Sequence, residues 1–347
     1  MKTIKKLLIP AKAQPLIQWR KNLAINMSDL AYLLFEKGEL MQVSEDHFLK
    51  KAELIVMGKI FNTTQLSALL ALLNDEGVDS VIICAPEDIA SVTTVRFLLS
   101  SFPDSLKAKL EPFFQENVLD FALMQKFPDW SKPGLVLMDM DSTTIQIECI
   151  DEIANLYGVG EQVSAVTTLA MQGKLDFNES LRTRVRKLEN MPISILKEIA
   201  DNMPLMPGLQ ILLAELKKAG WKVAIASGGF NYFADRLKQD HGFDFTLANT
   251  LEILEDKLTG KVTGEIINAD VKARTLKELA DKYDLDMSQT IAIGDGANDL
   301  VMMATSAMGI AIHAKPIVQK QASISLNNLD LEGALAILSA NKGLCWS

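Results

Sequence analysis

Four short stretches of this chain combine acidic, hydroxyl, amide and basic groups at spacings that suit phosphate chemistry. Asp139-Met140-Asp141-Ser142-Thr143-Thr144 sets two carboxylates two residues apart, and extended backbone there aims both at one site. Ser227-Gly228-Gly229-Phe230 offers a hydroxyl and two glycine amides ahead of a helical stretch, where N–H groups can receive a phosphate. The same residues also suit a serine-capped tight turn. Gly294-Asp295-Gly296-Ala297-Asn298-Asp299 carries a second acid and an asparagine that a plain Asp-Gly turn does not need. Lys272 falls just ahead of an amphipathic stretch, where a cation opposes the helix dipole, which points to another job.

Together Asp139, Asp141, Asp295 and Asp299 form a carboxylate set that cannot fully ionise without compensating positive charge. Magnesium, which takes oxygen ligands and keeps several waters, suits such a set. Zinc does not, because Cys and His are lacking: His47, His241 and His313 have no ligand spacing to one another. A carboxylate nucleophile with Mg²⁺, a lysine and a hydroxyl makes a phosphoryl-transfer apparatus. No GxxxxGK[ST] sequence is present, so a P-loop is not its source.

The groups need strands to carry them. Apolar runs at 135–138, 223–226, 291–293 and 308–312 alternate with amphipathic stretches at 231–239, 273–282 and 300–304, the pattern of an α/β fold with a parallel sheet. Each polar stretch follows a strand or precedes a helix, and ligands of open parallel sheets sit beyond the carboxyl ends of the strands. The interval 145–206 is far longer than an ordinary βα connection and reads as inserted helices, over 148–156, 163–171 and 178–188. The segment QKFPDWSKP at 125–133 marks a domain boundary. Upstream, strands at 52–57 and 80–84 flank a helix at 64–74 in a βαβ unit; 33–39 could add a strand or turn, and no internal repeat is evident. The expected domains are an α+β N-terminal one, 1–125, and a core, 134–340, with the helical insert 145–206.

Composition narrows the partners. The 347 residues carry a formal charge of −9 with no long basic run, which disfavours nucleic acid and favours a small ligand. No run reaches membrane-span length, and the apolar patch after Lys6 is too short for a secretory signal. Cys84, Cys149 and Cys345 are odd in number and widely spaced, so no disulfide framework is expected and a reducing cytoplasm fits.

The ordered segments MDMDST, ASGG, DVKA and GDGANDL resemble the four motifs of the haloacid dehalogenase superfamily over roughly 135–338, with no departure at the motif residues. That resemblance implies a Rossmann-like core with a helical cap after the first motif. It also implies that Asp139 attacks phosphorus to form an aspartyl-phosphate, and that Asp141 protonates the leaving group and then activates water. By the same resemblance Ser227 and Lys272 hold the phosphoryl oxygens, Gly228 and Asn298 add polar contacts, and Asp139, the carbonyl of Asp141 and Asp295 bind Mg²⁺ with support from Asp299. A residue that is acid in one half-reaction and base in the next needs a pKa nearer neutrality than free Asp, and a crowded anionic site provides it.

Selectivity then falls to the insert. A phosphorylated amino acid needs an anion for its ammonium and an arginine for its carboxylate. The register DxDSTxxxxE, ending at Glu148, with FxxSLxxRV from Phe177 to Val185, is similar to a branch of the superfamily that hydrolyses O-phospho-L-serine in the last step of serine biosynthesis. There Glu148 takes the ammonium, Arg184 the carboxylate, and Met171 and Phe177 form apolar walls. Hydrolysis or transfer of another small phosphomonoester, and amino-acid sensing without catalysis, remain the alternatives. The N-terminal portion also resembles an ACT-like, amino-acid-binding module, although packing or homodimerisation explains one βαβ unit equally well.

Overall fold

The computed structural model describes residues 3–23, 31–44, 48–172 and 174–340. They form two compact units, 1–131 with 323–347, and 132–322. No helix among the described residues is long and apolar enough to cross a membrane.

In the first unit, strands Ala52–Gly58, Ser80–Ile83, Val92–Leu99 and Asp120–Met124 alternate with helices Thr63–Asp75 and Leu106–Glu116 as βαββαβ. The strands are antiparallel in the spatial order second, third, first, fourth, a ferredoxin-like arrangement. Both helices bury Leu66, Leu70, Leu110 and Phe114 with Leu54, Val56 and Phe97 of the sheet. Asn62 starts the first helix with a capping box: its side chain accepts from the Thr64 and Gln65 amides, and Gln65 returns a bond to the Asn62 amide. The expected βαβ unit is present in split form. Val92–Leu99 lies between the two strands of that reading, and its Thr and Arg residues interrupt the apolar run that would have revealed it. The 33–39 segment is a hairpin, Ala31–Glu36 and Glu39–Ser44, preceded by strand Thr3–Leu7 and helix Leu16–Asn22.

The chain returns to this unit at its end, so the core expected to run to 340 stops at 322. Ile324–Leu326 pairs with the Asp120–Met124 strand, and the buried Asp120 carboxylate accepts from the amides of Asn327, Asn328 and Leu329. Cys149 is a buried free thiol.

The second unit is built on β1 (Leu135–Met138), β2 (Lys222–Phe230), β3 (Phe245–Leu254), β4 (Lys257–Thr263), β5 (Thr290–Gly294) and β6 (Met308–Ile312). Their order is β6-β5-β1-β2-β3-β4, parallel through β3, with β4 folded back as a hairpin. Every residue of β1, β5 and β6 is buried, as apolar runs covered on both faces require. Between β1 and β2 come the insert helices α1 (Cys149–Tyr157), α2 (Gly160–Met171), α3 (Phe177–Arg186) and α4 (Ser194–Asp201), then α5 (Leu209–Lys218). The two chain segments at the base of the insert are zipped by the Ile145–Leu205 bridge and by bonds from Gln146 N–H to Pro204 O and from Met206 N–H to Thr144 O, both 2.9 Å. Helices α6 (Asn231–His241), α7 (Ala269–Lys282), α8 (Leu300–Thr305) and the one-turn Pro316–Gln319 complete the unit.

Two local readings change. Ser227–Gly229 is a bulged continuation of β2 and not a turn, because pairing with β3 slips between Ala226 and Phe230. Lys272 is the fourth residue of α7, which begins earlier than expected because Asn268 caps it through the Val271 amide.

Removing the buried Asp120 carboxylate takes the acceptor from the amides of Asn327, Asn328 and the buried Leu329. Asp120→Ala is expected to lower stability by about 2–4 kcal/mol, measured by urea unfolding of the full chain.

Candidate active site

The polar ends of β1, β2 and β5 meet in one cavity of about 150 Å³ with the insert above it. Asp139, Asp141, Glu148, Phe177, Arg184, Ser227, Gly228, Asp295 and Asn298 all line it. Met171 ends α2, and its side chain lies outside what the structure describes.

Asp139 follows the last residue of β1, and its N–H donates to Ile293 O of β5 at 2.9 Å. Beyond it the backbone does not stay extended. The amides of Thr143, Thr144 and Ile145 all turn onto Met140 O, and Ser142 takes a left-handed φ of 53°. Asp139 and Asp141 therefore share the cavity through a tight turn, not through the alternation of a strand. Thr144 Oγ1 locks that turn by donating to Asp139 O at 2.6 Å, and the Asp139 carboxylate accepts from its neighbour's amide at 2.7 Å.

Lys272 is wholly buried, with its ammonium 2.8 Å from Asp139 Oδ2 and 2.7 Å from Asp299 Oδ1. Burial by itself lowers a lysine pKa, yet the two carboxylates outweigh it and hold Lys272 above its ordinary value, charged. Asp299 is aimed by its other oxygen, which accepts from Gly296 N–H at 3.0 Å. Glycine is required at 294, because a Cβ there would fall 2.4 Å from the Asp299 carboxyl carbon.

Burial, then the charges of Asp139, Asp299 and Glu148, push Asp295 up to about 8, while Thr143 Oγ1 donates to it at 3.2 Å. Asp139, Asp295 and Asp299 bring carboxylate oxygens within 4.8 Å of one another, a geometry suited to a divalent cation. The donor set is all oxygen, which fits Mg²⁺. Asp141 gives no carboxylate oxygen to this group, so any ligation from it runs through its backbone carbonyl. Its carboxyl is lifted well above the ordinary range, by desolvation first and then by Glu148 and Asp139, and its buried Oδ1 has no partner.

Across the cavity, Glu148 is the N-cap residue of α1 and accepts from Ser142 Oγ at 2.7 Å. Desolvation raises its pKa despite that bond. Arg184, on α3, is lowered by desolvation against the pull of Asp151, Glu148 and Asp141, and its Nε is buried without a partner. Phe177 crosses to the β2 bulge: a Cβ on Gly228 would meet its ring at 2.8 Å. On Gly229 it would meet Met140 Cε at 2.6 Å and Asp141 Oδ2 at 2.9 Å, so only glycine fits at these two positions. Within the bulge, Gly229 N–H donates to Ser227 Oγ at 2.9 Å.

Ser142, Thr143 and Thr144 act on the site but were not singled out in the sequence, where hydroxyls in a turn look ordinary. The repeated hydroxyls directly after DxD were the available signal. Ile150 and Leu181 add apolar lining from α1 and α3. Their helical spacing alone could not separate cavity wall from core.

Residues 133–306 match the haloacid dehalogenase-like hydrolase family. The chain is 51% identical over 245 residues to a phosphoserine phosphatase of Vibrio cholerae, covering 71% of this chain and 75% of the relative. It is 53% identical over 229 residues to a phosphoserine phosphatase of Haemophilus influenzae, covering 66% and 73%. The crystal structure of a probable phosphoserine phosphatase from Vibrio cholerae superposes with a TM-score of 0.71 at 45% identity, covering 84% of this chain and 88% of that one.

A cation held by the carboxylate group should stabilise the fold directly. Mg²⁺ at ten times its dissociation constant is expected to add about 1.4 kcal/mol, read as a rise in Tm, and Asp295→Asn is expected to lose that rise.

Proposed function

The chain belongs to the haloacid dehalogenase-like hydrolases, and within them to the phosphoserine phosphatases; we propose that it hydrolyses O-phospho-L-serine to L-serine and phosphate through Asp139. The observation that carries this reading is the pairing of two unlike ends in one small cavity. One end is a cation-compensated carboxylate nucleophile beside the glycine bulge, and the other presents the Glu148 carboxylate and a half-buried Arg184 whose buried Nε has no partner.

The seryl ammonium is matched by Glu148 and the seryl carboxylate by Arg184, whose planar fork suits two carboxylate oxygens. This places the phosphoryl group over the β2 bulge, where Ser227 Oγ, the bulge amides and Lys272 take its oxygens, with Asn298 beside them. Asp139 Oδ then attacks phosphorus as the P–O bond to the seryl oxygen breaks. Asp141, whose pKa desolvation raises toward the range a general acid needs, gives a proton to the leaving seryl oxygen. In the second half-reaction the ionised Asp141 takes a proton from water, whose oxygen attacks phosphorus and releases phosphate from Asp139. Mg²⁺, held by Asp139, Asp295 and the Asp141 carbonyl with Asp299 in support, would supply positive charge against the phosphoryl oxygens. The insert 145–206 acts as the lid that keeps bulk water from the aspartyl-phosphate.

Asp139→Asn is expected to lower kcat on the order of 10⁴-fold or more and to abolish covalent-analogue trapping by BeF₃⁻; normal turnover would exclude Asp139 as nucleophile. Arg184→Ala is expected to raise KM for phosphoserine by about 30-fold, the loss of a buried charge partner. For p-nitrophenyl phosphate, which has no carboxylate, the change should stay within about twofold on the same argument. Equal losses on both substrates would remove Arg184 from the substrate carboxylate.

A further inference from the structure

Asn249, in β3, is buried at 1% exposure, and its side-chain amide is used in both directions. Nδ2 donates to Gly228 O at 2.8 Å, and Oδ1 accepts from Ile267 N–H at 2.9 Å. The first partner lies inside the β2 bulge. There the β2–β3 ladder passes from the Ala226–Leu247 pair to the Phe230–Asn249 pair, so three residues of β2 face one intervening residue of β3. Backbone groups in such a slip lose their regular partners, and the asparagine side chain replaces one of them. The second partner, Ile267, immediately precedes Asn268, which caps α7 and whose carbonyl accepts from Lys272 N–H at 3.0 Å.

One side chain therefore spans two segments that are 38 residues or more apart in sequence and share nothing in their local folding. One carries the Ser227–Gly229 amides and hydroxyl, the other carries Lys272. We propose that Asn249 is a positioning residue for phosphoryl transfer, setting the separation between the glycine cradle and Lys272 without touching the substrate. This inference rests on the phosphatase reading above. The site calls for one donor and one acceptor about a residue's width apart, which an amide meets. Aspartate keeps the acceptor for Ile267 but sets a second acceptor against Gly228 O, and serine is too short to bridge. A misplacement of about 1 Å between reacting groups can cost about 100-fold in rate.

The test uses full-length Asn249→Asp and Asn249→Ser beside the unaltered enzyme. Both kcat and KM are measured on phosphoserine and p-nitrophenyl phosphate, with the inhibition constant of inorganic phosphate and Tm, all normalised to folded protein by near-UV circular dichroism. Expected are a fall in kcat of about 10- to 100-fold on both substrates and a parallel rise in the phosphate inhibition constant. The ratio of the two KM values should hold within about twofold, since Glu148 and Arg184 are untouched. A lowered Tm with kcat and phosphate inhibition unchanged would assign Asn249 to stability alone and overturn the proposal. Should neither variant fold, the Asn249 side-chain amide resonance of the unaltered protein decides: a shift on adding BeF₃⁻ and Mg²⁺ supports coupling to the cradle, and an unmoved resonance overturns it. Failure of the unaltered enzyme on phosphoserine would count against the substrate reading instead, and p-nitrophenyl phosphate kinetics would still test Asn249.

Discussion

The ammonium of Lys272 sits in a dry interior only because Asp139 and Asp299 approach it to 2.8 and 2.7 Å. A lone buried cation would lose its proton; the two carboxylates hold Lys272 charged and in place, while burial still lifts Asp299 to about 7. The same arrangement has a remainder. With Asp295 and Asp141 close by, negative charge exceeds positive, and burial lifts both of those acids above their ordinary values. That surplus suits a divalent cation among Asp139, Asp295 and Asp299, and it is the basis of the proton-carrying role proposed for Asp141.

Holding such a cluster demands backbone that cannot shift. Fully buried β1 and β5 supply Asp139 and Asp295 from neighbouring strands, joined by the bond from Asp139 N–H to Ile293 O. Gly294 lets the Asp299 carboxyl come against the strand end, and Gly228 and Gly229 let Phe177, Met140 and Asp141 close over the bulge. The insert joins the core at a base zipped between Ile145 and Leu205, and it lines the cavity with Glu148, Phe177 and Arg184.

The catalytic unit was legible in the sequence because its strands are short apolar runs ended by chemistry: 135–138 and 308–312 match the observed strands at both ends, and Asp139, Asp295 and Ser227 come to one cavity as the order of motifs implied. Details that depend on pairing were not legible. The bulge at Ser227 exists only in register with β3, and Asn249 is a single polar residue in a strand whose two partners are distant in sequence. The first unit hid for a related reason: half-polar Val92–Leu99 lacks a clean apolar run, and nothing near Asp120 announces that residues 327–329 will return to cap its carboxylate.

The reading of the site as one built for a phosphorylated amino acid is tested most directly by phosphate release. Serine and phosphate should appear in equal amounts from O-phospho-L-serine, stop on chelation of Mg²⁺ and resume on its return, with kcat/KM exceeding that for sugar phosphates and nucleotides by at least about 10-fold, the worth of one matched charge pair. Faster turnover of a sugar phosphate or nucleotide, or undiminished release in excess chelator, would contradict it.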